Sequence, residues 1–306
     1  MKKQLLLAIT ALAAFFTAGA QKPDTAQVVV HYKFIFVRDT TDQQHPYTEN
    51  MALFVGKNAS GYWTYDGILA DQQFKKAWPE AVASSPDGNV RITRGRGAGF
   101  STQYYQYPNE QKLFTKDNLM FNDYLMEDPI PAIDWKIDGD TATFGGLHCQ
   151  KATGHFKGRD YTVWFCPDLP VHTGPWKLNG LPGVIVDAHD AKNEVVFKFD
   201  GVEKAVFKEV VPLAGTDKPE KDVPPILRGL DYNPNLIAPP AKAIKTTQKD
   251  FDKLKETMQK NPEAVAAAVN AANSQGDGPK MDHIKTAPGH HTGPVVNNSM
   301  ELPEKN

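Results

Sequence analysis

The chain has 306 residues, of which 41% are hydrophobic and 23% charged, and its 34 basic and 36 acidic side chains leave a formal net charge of −2. This length predicts one large domain or two ordinary ones. The balanced charge excludes the basic surface of a nucleic-acid-binding protein. Two cysteines are too few for a disulfide-built scaffold or a four-cysteine zinc site. Composition therefore excludes several classes of protein and predicts no activity.

The first twenty residues have the pattern of a secretory signal peptide. Lys2 and Lys3 form a positive start, residues 5–16 are apolar, and residues 18–20 supply the small side chains of a cleavage site. The apolar run is too short to span a membrane. We therefore predict cleavage near Ala20 and an exported mature protein, periplasmic or extracellular, without a transmembrane span.

Residues 21–211 have the composition of a β-rich domain. Runs of β-branched and aromatic residues predict strands at 28–37, 51–55, 61–65, 101–107, 113–115 and 119–127. Residues 71–77 predict a short helix with Phe74 and Trp78 on one side, and residues 84–99 predict a loop. A hairpin is predicted over 135–144, because Asp138-Gly139 lies between β-forming residues.

The composition changes near Pro212. Residues 212–246 are rich in proline and predict an extended arm. Residues 247–273 predict a helical extension: Phe251, Leu254 and Met258 share one stripe of a first helix, and Asn261-Pro262 begins a second.

Residues 274–306 are polar, with glycine and proline, and predict a disordered tail. The chain as a whole predicts a mainly β fold of the β-rich α+β class. We expect a curved or partly closed antiparallel sheet with one short packed helix and C-terminal helices.

Cys149 and Cys166 lie on the two arms of a second predicted hairpin. A two-residue turn at Lys157-Gly158 would place them opposite each other, where the Cα atoms of a non-hydrogen-bonded pair lie about 4.5 Å apart, within reach of a disulfide. An oxidising compartment outside the cytoplasm permits the bond. The alternatives are thiolates that bind a metal together with His148 or His155, and free buried thiols.

Residues 167–190 carry the most specific pattern in the chain. Residues 180–185 have the sequence Gly-Leu-Pro-Gly-Val-Ile, preceded by Asp-Leu-Pro at 168–170 and Gly-Pro-Trp at 174–176. With Trp135, Cys149 and Trp164 upstream, in matching order and spacing, residues 28–211 resemble the GLPGLI family of exported bacterial proteins. Val184 stands where the family signature has leucine.

The resemblance implies a β-rich envelope or secreted domain of Gram-negative bacteria with no established enzymatic activity, so no catalytic residue is carried over. The glycines and prolines themselves predict sharp turns, which form either a structural corner that closes the sheet or a ligand-binding loop. The second interpretation predicts a cleft for an apolar or peptide ligand. Its candidate binding residues are His172, Trp176, Gly180, Leu181, Pro182, Gly183, Asp187 and His189.

Asp187 and His189 are the remaining candidates for chemistry near the motif. Two residues apart on one strand, they would share a face and could bind a metal, or they could form a solvated strand end. His172 could act as a base, although no nucleophile is identified beside it. An envelope hydrolase using His172, His189 and Asp187 is therefore the enzymatic alternative.

Two further patterns lie outside the motif. Arg94 to Gly99 alternates glycine with arginine and could form an anion-binding nest or a flexible loop. The tail contains Met281, His283, His290, His291 and Met300, which could capture copper or zinc in an exported protein.

These observations favour a non-catalytic envelope protein that binds an apolar or peptide ligand, or an envelope partner, near the motif. The hydrolase and the metal-capturing protein are the alternatives. The sequence identifies no cofactor, and no nucleic-acid partner is expected.

Overall fold

The computed structural model describes residues 22–85, 101–119, 122–206, 227, 230, 232–261 and 296–304. The strands are β1 (Asp24–Thr25), β2 (Val28–Phe36), β3 (Tyr47–Val55), β4 (Ser60–Thr64), β5 (Gln103–Tyr107), β6 (Lys112–Leu119), β7 (Asn122–Pro129), β8 (Trp135–Phe144), β9 (Leu147–Phe156), β10 (Arg159–Cys166), β11 (Val184–Asp190), β12 (Val195–Lys204), β13 (Leu236–Ile237) and β14 (Ile244–Thr246). The helices are α1 (Tyr65–Ala83) and α2 (Gln248–Lys260), with a 3-10 turn at Pro108–Glu110. The predicted mainly β fold is confirmed. Neither helix in the described ranges has the length and apolarity that crossing a membrane requires.

Twelve strands form one sheet in the order β14-β7-β6-β5-β4-β3-β2-β12-β11-β10-β9-β8. Its neighbours are antiparallel except for β14, which runs parallel to β7, so the sheet is mixed and not purely antiparallel as predicted. β14 comes from the predicted proline-rich arm, which returns to the sheet because the edge of β7 offers unpaired backbone groups. β1 and β13 form a separate antiparallel pair.

Each face of the sheet has its own hydrophobic core, because successive side chains of a strand point to opposite faces. One face, here called the inner face, bears Phe34, Tyr62 and Phe197. The ring of Phe197 on β12 lies 5.1 Å from that of Phe34 and 6.1 Å from that of Tyr62. β5 and β9 both contact residues 167–183. The sheet therefore curves around this segment. The outer face bears Phe54 and Trp63 and is covered in part by Ile68 of α1.

Helix α1 is longer than the helix predicted at 71–77. It begins at Tyr65, where Thr64 Oγ1 accepts a hydrogen bond from the Gly67 amide at 3.2 Å as an N-cap. The Asp66 carboxylate accepts two bonds from Asn50 of β3, so a tertiary contact fixes the first turn. Phe74 and Trp78 lie on one side of the helix as predicted; both are buried, and their rings stack on each other.

Residues 135–144 form the single strand β8 and not the predicted hairpin. β8 pairs with β9 along its length, and the register shifts between Ile137 and Thr141. Asp138-Gly139 lies within this bulge instead of forming a turn, because the residues on both sides of it pair with β9. Lys151 of β9 lies 3.0 Å from the carboxylate of Asp140, which favours the bulged conformation.

The β9–β10 hairpin has the predicted register and disulfide. Lys157 and Gly158 have φ values of 51° and 70°, as a two-residue turn with positive φ at both central positions requires. Cys149 and Cys166 form a disulfide with their Cα atoms 4.1 Å apart. The disulfide prediction is confirmed, and the thiolate and free-thiol alternatives are excluded.

Several predictions concern residues outside the described ranges: the signal peptide at 1–20, the glycine-arginine pattern at 94–99, the second C-terminal helix, and the tail up to residue 295. Residues 297–304, here called the C-terminal segment, lie against the β9–β10 hairpin and the inner face. The prediction of disorder is therefore wrong for this segment, because long-range contacts hold it.

Candidate functional site

The corner segment, residues 167–183, connects β10 to β11 and contains the Gly-Leu-Pro-Gly motif. It folds onto the inner face, where Trp176 and Leu181 are 2% and 1% exposed. A Cβ at Gly183 would lie 2.4 Å from the carbonyl oxygen of Cys166, so only glycine fits this position. Gly180 and Pro182 remain exposed. The motif thus supplies the turns that carry Trp176 and Leu181 into the core.

A buried glutamine of β5 holds the corner segment. Gln106 Nε2 donates a hydrogen bond to the Trp176 carbonyl at 3.0 Å, and its Oε1 accepts from Thr173 at 3.1 Å. Thr173 is also hydrogen-bonded to Ser60 at 2.5 Å. Trp176 has a φ of 56°, which is unfavourable for a residue other than glycine. The buried hydrogen bonds of Gln106 to Trp176 and Thr173 fix the position of the Trp176 ring.

Trp176 forms one wall of a small apolar pocket in the inner face. The other walls come from five strands and from the C-terminal segment; the lining residues are Phe34, Met51, Tyr62, Tyr104, Trp176, Phe197 and Met300. The cavity left between these side chains has a volume of about 10 Å³, the space of about one water molecule. The pocket is therefore nearly filled by its own lining, of which Met300 is a part.

Arg159, the first residue of β10, is buried beside two carboxylates. Its side chain is 2% exposed, and Nη1 donates to Asp190 at 2.6 Å and to Glu194 at 2.9 Å. Burial opposes the charge on Glu194, but hydrogen bonds from Arg159 and Asn298 outweigh it and hold the pKa of this carboxyl below its ordinary value. Asp190 also accepts the backbone amide of Val195. The three side chains form a paired charge cluster at the end of the hairpin.

The remaining donors of Arg159 bind the C-terminal segment. Nε donates to the carbonyl of Met300 at 3.1 Å, while Nη2 donates to the carbonyl of Ser299 at 2.5 Å and to Oδ1 of Asn298 at 2.7 Å. A guanidinium presents its donors in a fixed planar arrangement. Two of these three bonds contact main-chain carbonyls, so Arg159 recognises an extended backbone.

Two lysines bind the acidic residue that follows Met300. The Glu301 carboxylate lies 2.6 Å from Lys177 Nζ and 3.3 Å from Lys157 Nζ. Burial raises the pKa of Glu301, but the two ammonium groups outweigh burial and lower it below its ordinary value. The carboxylate therefore stays ionised at neutral pH and links the segment to both the corner and the hairpin turn.

The hairpin turn binds the last part of the segment. Leu302 donates its amide to the Lys157 carbonyl at 2.9 Å, and Glu304 accepts from the Gly158 amide at 3.1 Å. His155 lies between two carboxylates, 2.6 Å from Asp160 and 2.8 Å from Glu304, and hydrogen bonds to both raise its pKa. Backbone and charge contacts therefore alternate where residues 302–304 lie against the hairpin turn.

The first part of the segment binds the end of β2. The amides of Asn297 and Asn298 both donate to the Arg38 carbonyl, at 3.0 and 3.1 Å, and Asn298 Nδ2 donates to the Val37 carbonyl at 2.8 Å. The groove therefore runs from the end of β2, past Arg159 and the apolar pocket, to the β9–β10 turn. We call it the segment groove.

Asp187 and His189 lie together on β11, as their spacing predicts, but outside the segment groove. The Asp187 carboxylate accepts a hydrogen bond from the Phe199 amide at 2.9 Å. This bond lowers the pKa of Asp187, but burial outweighs it and raises the pKa above its ordinary value. His189 is paired with Thr162 of β10 in the sheet register. His172 is exposed in the corner, and within the described ranges no hydrogen bond connects it to this pair. The three candidates of the hydrolase hypothesis are thus not assembled by hydrogen bonds.

Within the described ranges, no group of three or more His, Cys, Asp or Glu side chains is placed to hold a metal ion. Four of the proposed tail ligands, Met281, His283, His290 and His291, lie outside those ranges. The fifth, Met300, lines the apolar pocket.

Neither the burial of Arg159 nor the contacts of the C-terminal segment were predicted from the sequence. Arg159 has the same parity on β10 as Tyr161 and Val163, which face the core, and an inward arginine needs buried partners. The alternation of side chains along β10 therefore indicates that Arg159 points inward. The segment offers only Met300 and Leu302 as apolar residues among polar ones, so no periodic pattern marks it.

Replacing Gly158 with alanine is expected to detach the C-terminal segment. A Cβ at Gly158 would lie 2.7 Å from the Leu302 carbonyl oxygen and 2.8 Å from that of Pro303. The ¹³C-methyl NMR signal of Met300, assigned with a Met300→Leu variant, should move from a ring-shifted position toward that of an unfolded chain.

Gly146→Ala is the matched control for this change. Gly146 also has a positive φ, of 85°, but nothing lies within 4 Å of its added Cβ. Both variants incur a backbone strain of about 1–2 kcal/mol, whereas only Gly158→Ala should shift the Met300 signal. The same Met300 spectrum for both variants would contradict the packing of the segment on the turn.

No family model matches the chain, and no curated protein matches it. Among solved structures, the structure of PNGF-II in space group C2 is similar with 12% identity and a TM-score of 0.46, and that in space group P21 with 11% identity and a TM-score of 0.47. Each alignment covers 74% of this chain and 32% of that chain. The chain thus spans about a third of the length of the solved structures that it matches.

Proposed function

We propose that the chain is an exported, non-catalytic binding protein of the bacterial envelope, and that the segment groove binds an extended peptide segment. The observation that carries this proposal is the binding of residues 297–304 along the groove. One side chain lies at the apolar pocket, and main-chain groups bond to Arg159, Arg38 and Lys157.

The contacts are of the two kinds that peptide-binding sites combine: hydrogen bonds to the main chain, and pockets or charges for side chains. Hydrogen bonds to carbonyls and amides are independent of the peptide's side chains, whereas pockets and charges select among sequences. Here Arg159 and the hairpin turn contribute the first kind of contact. The aromatic pocket and the lysine pair at Glu301 contribute the second kind.

Export is part of the same proposal. The signal-peptide pattern at residues 1–20 and the resemblance to the GLPGLI family support it, and the Cys149–Cys166 disulfide suits an oxidising compartment.

A full-length variant with an emptied groove tests the binding proposal. Met300→Asp with Glu301→Lys puts a carboxylate against apolar walls and reverses the charge beside Lys157 and Lys177, without changing any groove residue. A fluorescent synthetic peptide with the sequence of residues 296–306 should then bind this variant saturably. It should bind the unaltered chain roughly tenfold more weakly or worse, because the tethered segment competes at high effective concentration.

The peptide carrying the same two substitutions is the matched control and should not bind. Circular dichroism and thermal unfolding establish that the variant is folded. A folded variant that shows no saturable binding of the unsubstituted peptide would contradict the proposal.

A further inference from the structure

The two lysines of the segment groove take their anionic partner from the segment itself. Lys177 and Lys157 lie 2.6 and 3.3 Å from the Glu301 carboxylate, and among the described residues neither lysine forms another ion pair. Arg159 differs, because two buried carboxylates of the β11–β12 hairpin already balance its charge. The lysine pair is therefore a site for a carboxylate that the occupant of the groove supplies.

A second carboxylate site lies three residues further along the segment, at Glu304. One oxygen of Glu304 accepts a hydrogen bond from the Gly158 amide at 3.1 Å, and the other lies 2.8 Å from Nε2 of His155. Nδ1 of the same ring lies 2.6 Å from the Asp160 carboxylate. Ionised carboxylates accept hydrogen bonds and do not donate them, so both ring nitrogens must carry a hydrogen. His155 therefore binds Glu304 as an imidazolium.

Main-chain contacts fix which residue of an occupant reaches which site. Before the lysine pair, Arg159 donates to the carbonyls of Ser299 and Met300. After it, the amide of Leu302 donates to the Lys157 carbonyl at 2.9 Å. Backbone bonds on both sides of the first carboxylate do not depend on side chains, so they hold any extended peptide in one register. The spacing of three residues is therefore a property of the groove.

We infer that the external ligand of the segment groove is an acidic extended peptide with two carboxylate side chains three residues apart, the first bound by Lys157 and Lys177 and the second by protonated His155. In the unliganded protein, Glu301 and Glu304 occupy these two sites as an intramolecular competitor. This inference rests on the proposed function and adds the ligand's chemical class to it.

The His155 site makes binding dependent on pH. The charged groups that face His155 are Asp160 of β10 and Glu304 of the segment, and Lys157 of the turn lies near Glu304. Hydrogen bonds to both carboxylates raise the pKa of His155, and an empty groove leaves only the bond to Asp160. Binding therefore takes up a proton: its contribution is complete below the pKa of the empty groove and is lost as pH rises through that of the occupied groove.

The test uses the full-length emptied variant, Met300→Asp with Glu301→Lys, and four synthetic peptides of residues 296–306. They are the unsubstituted peptide, Glu301→Gln, Glu304→Gln, and a peptide in which Glu301 and Leu302 are exchanged. Glu301→Gln should raise Kd roughly threefold to tenfold. Glu304→Gln should raise it roughly twofold to fivefold, because this pair is more exposed. The exchanged peptide keeps the composition and net charge, and should bind as weakly as Glu301→Gln.

Two changes in the emptied variant assign each carboxylate to its site. Lys177→Met should reduce the effect of Glu301→Gln in the peptide and leave that of Glu304→Gln unchanged, and His155→Gln should do the reverse. Circular dichroism establishes that both variants are folded, and the peptide series tests the inference without them.

The pH profile is a further readout. Between about pH 6 and about pH 9, Kd of the unsubstituted peptide should rise by roughly the factor lost on Glu304→Gln, as His155 loses its proton. The Glu304→Gln peptide should lack this dependence. Unchanged affinity on either glutamine substitution, or equal binding of the exchanged and unsubstituted peptides, would overturn the inference and leave the proposed function intact. Absence of saturable binding by all four peptides would overturn both.

Discussion

Replacing Arg159 with leucine is expected to lower the free energy of unfolding by about 3–5 kcal/mol, the usual cost of removing one partner from a buried ion pair. The side chains of Arg159 and Asp190 are 2% and 3% exposed, and Glu194 is 12% exposed. Without the guanidinium, two carboxylates would be left in a poorly solvated site without their cation. Urea denaturation followed by tryptophan fluorescence measures the loss.

The same substitution should release the C-terminal segment, because three hydrogen bonds from Arg159 to residues 298–300 disappear. The Met300 methyl signal would report this release independently of global stability. Loss of stability without release would show that Arg159 acts on the hairpin end alone.

Neutralising the partners provides the control. Arg159→Leu combined with Asp190→Asn and Glu194→Gln removes the unpaired charges and should be less destabilised than Arg159→Leu alone. Lys112→Leu breaks the exposed pair of Lys112 with Glu127 and should have little effect. A triple variant as unstable as the single one would contradict the attribution to unpaired carboxylates.

Replacing both Cys149 and Cys166 with alanine is expected to lower the free energy of unfolding by about 3 kcal/mol, as for other disulfides that close a loop of about 15 residues. The sequence separation here is 17, and both cysteines are buried. The bond restricts the unfolded chain, so its loss favours the unfolded state. Urea midpoints of the variant and the oxidised protein measure the difference.

The unaltered protein in a reducing agent is the control for the cysteine variant and should unfold at nearly the same urea concentration. Mass spectrometry after alkylation under non-reducing conditions should find no free thiol among the two cysteines. Two alkylated thiols in the native protein, or an unchanged midpoint on reduction, would contradict the prediction.

The β9–β10 hairpin was predictable because its determinants are local. Lys157-Gly158 suits a turn that needs positive φ at two positions, and side chains alternate with a period of two. Once the turn is placed, the register follows, and Cys149 is opposite Cys166. The same local logic would have placed Arg159 on the inner side, had its parity with Tyr161 been followed.

The predictions for α1 and β8 were wrong where a neighbour overrode a local preference. Asp66 binds Asn50 of β3, which starts α1 earlier than the helical stripe of Phe74 and Trp78 indicates. The Asp138-Gly139 pair favours a turn, but pairing with β9 on both sides of it outweighs this preference and converts the turn into a bulge. In both cases the deciding partner lies on another strand.

The sequence by itself determined the strand content, the disulfide and the corner motif of this protein, because alternation, turn residues and glycine contacts act over short distances. Only the tertiary structure decided that residues 297–304 occupy the inner face. Their contacts with Arg159 reach across 139–141 positions of the chain, and two of the three are to main-chain carbonyls, which every residue possesses. A groove that recognises backbone leaves no composition signal in its ligand, and the curvature of the sheet is what brings its walls together.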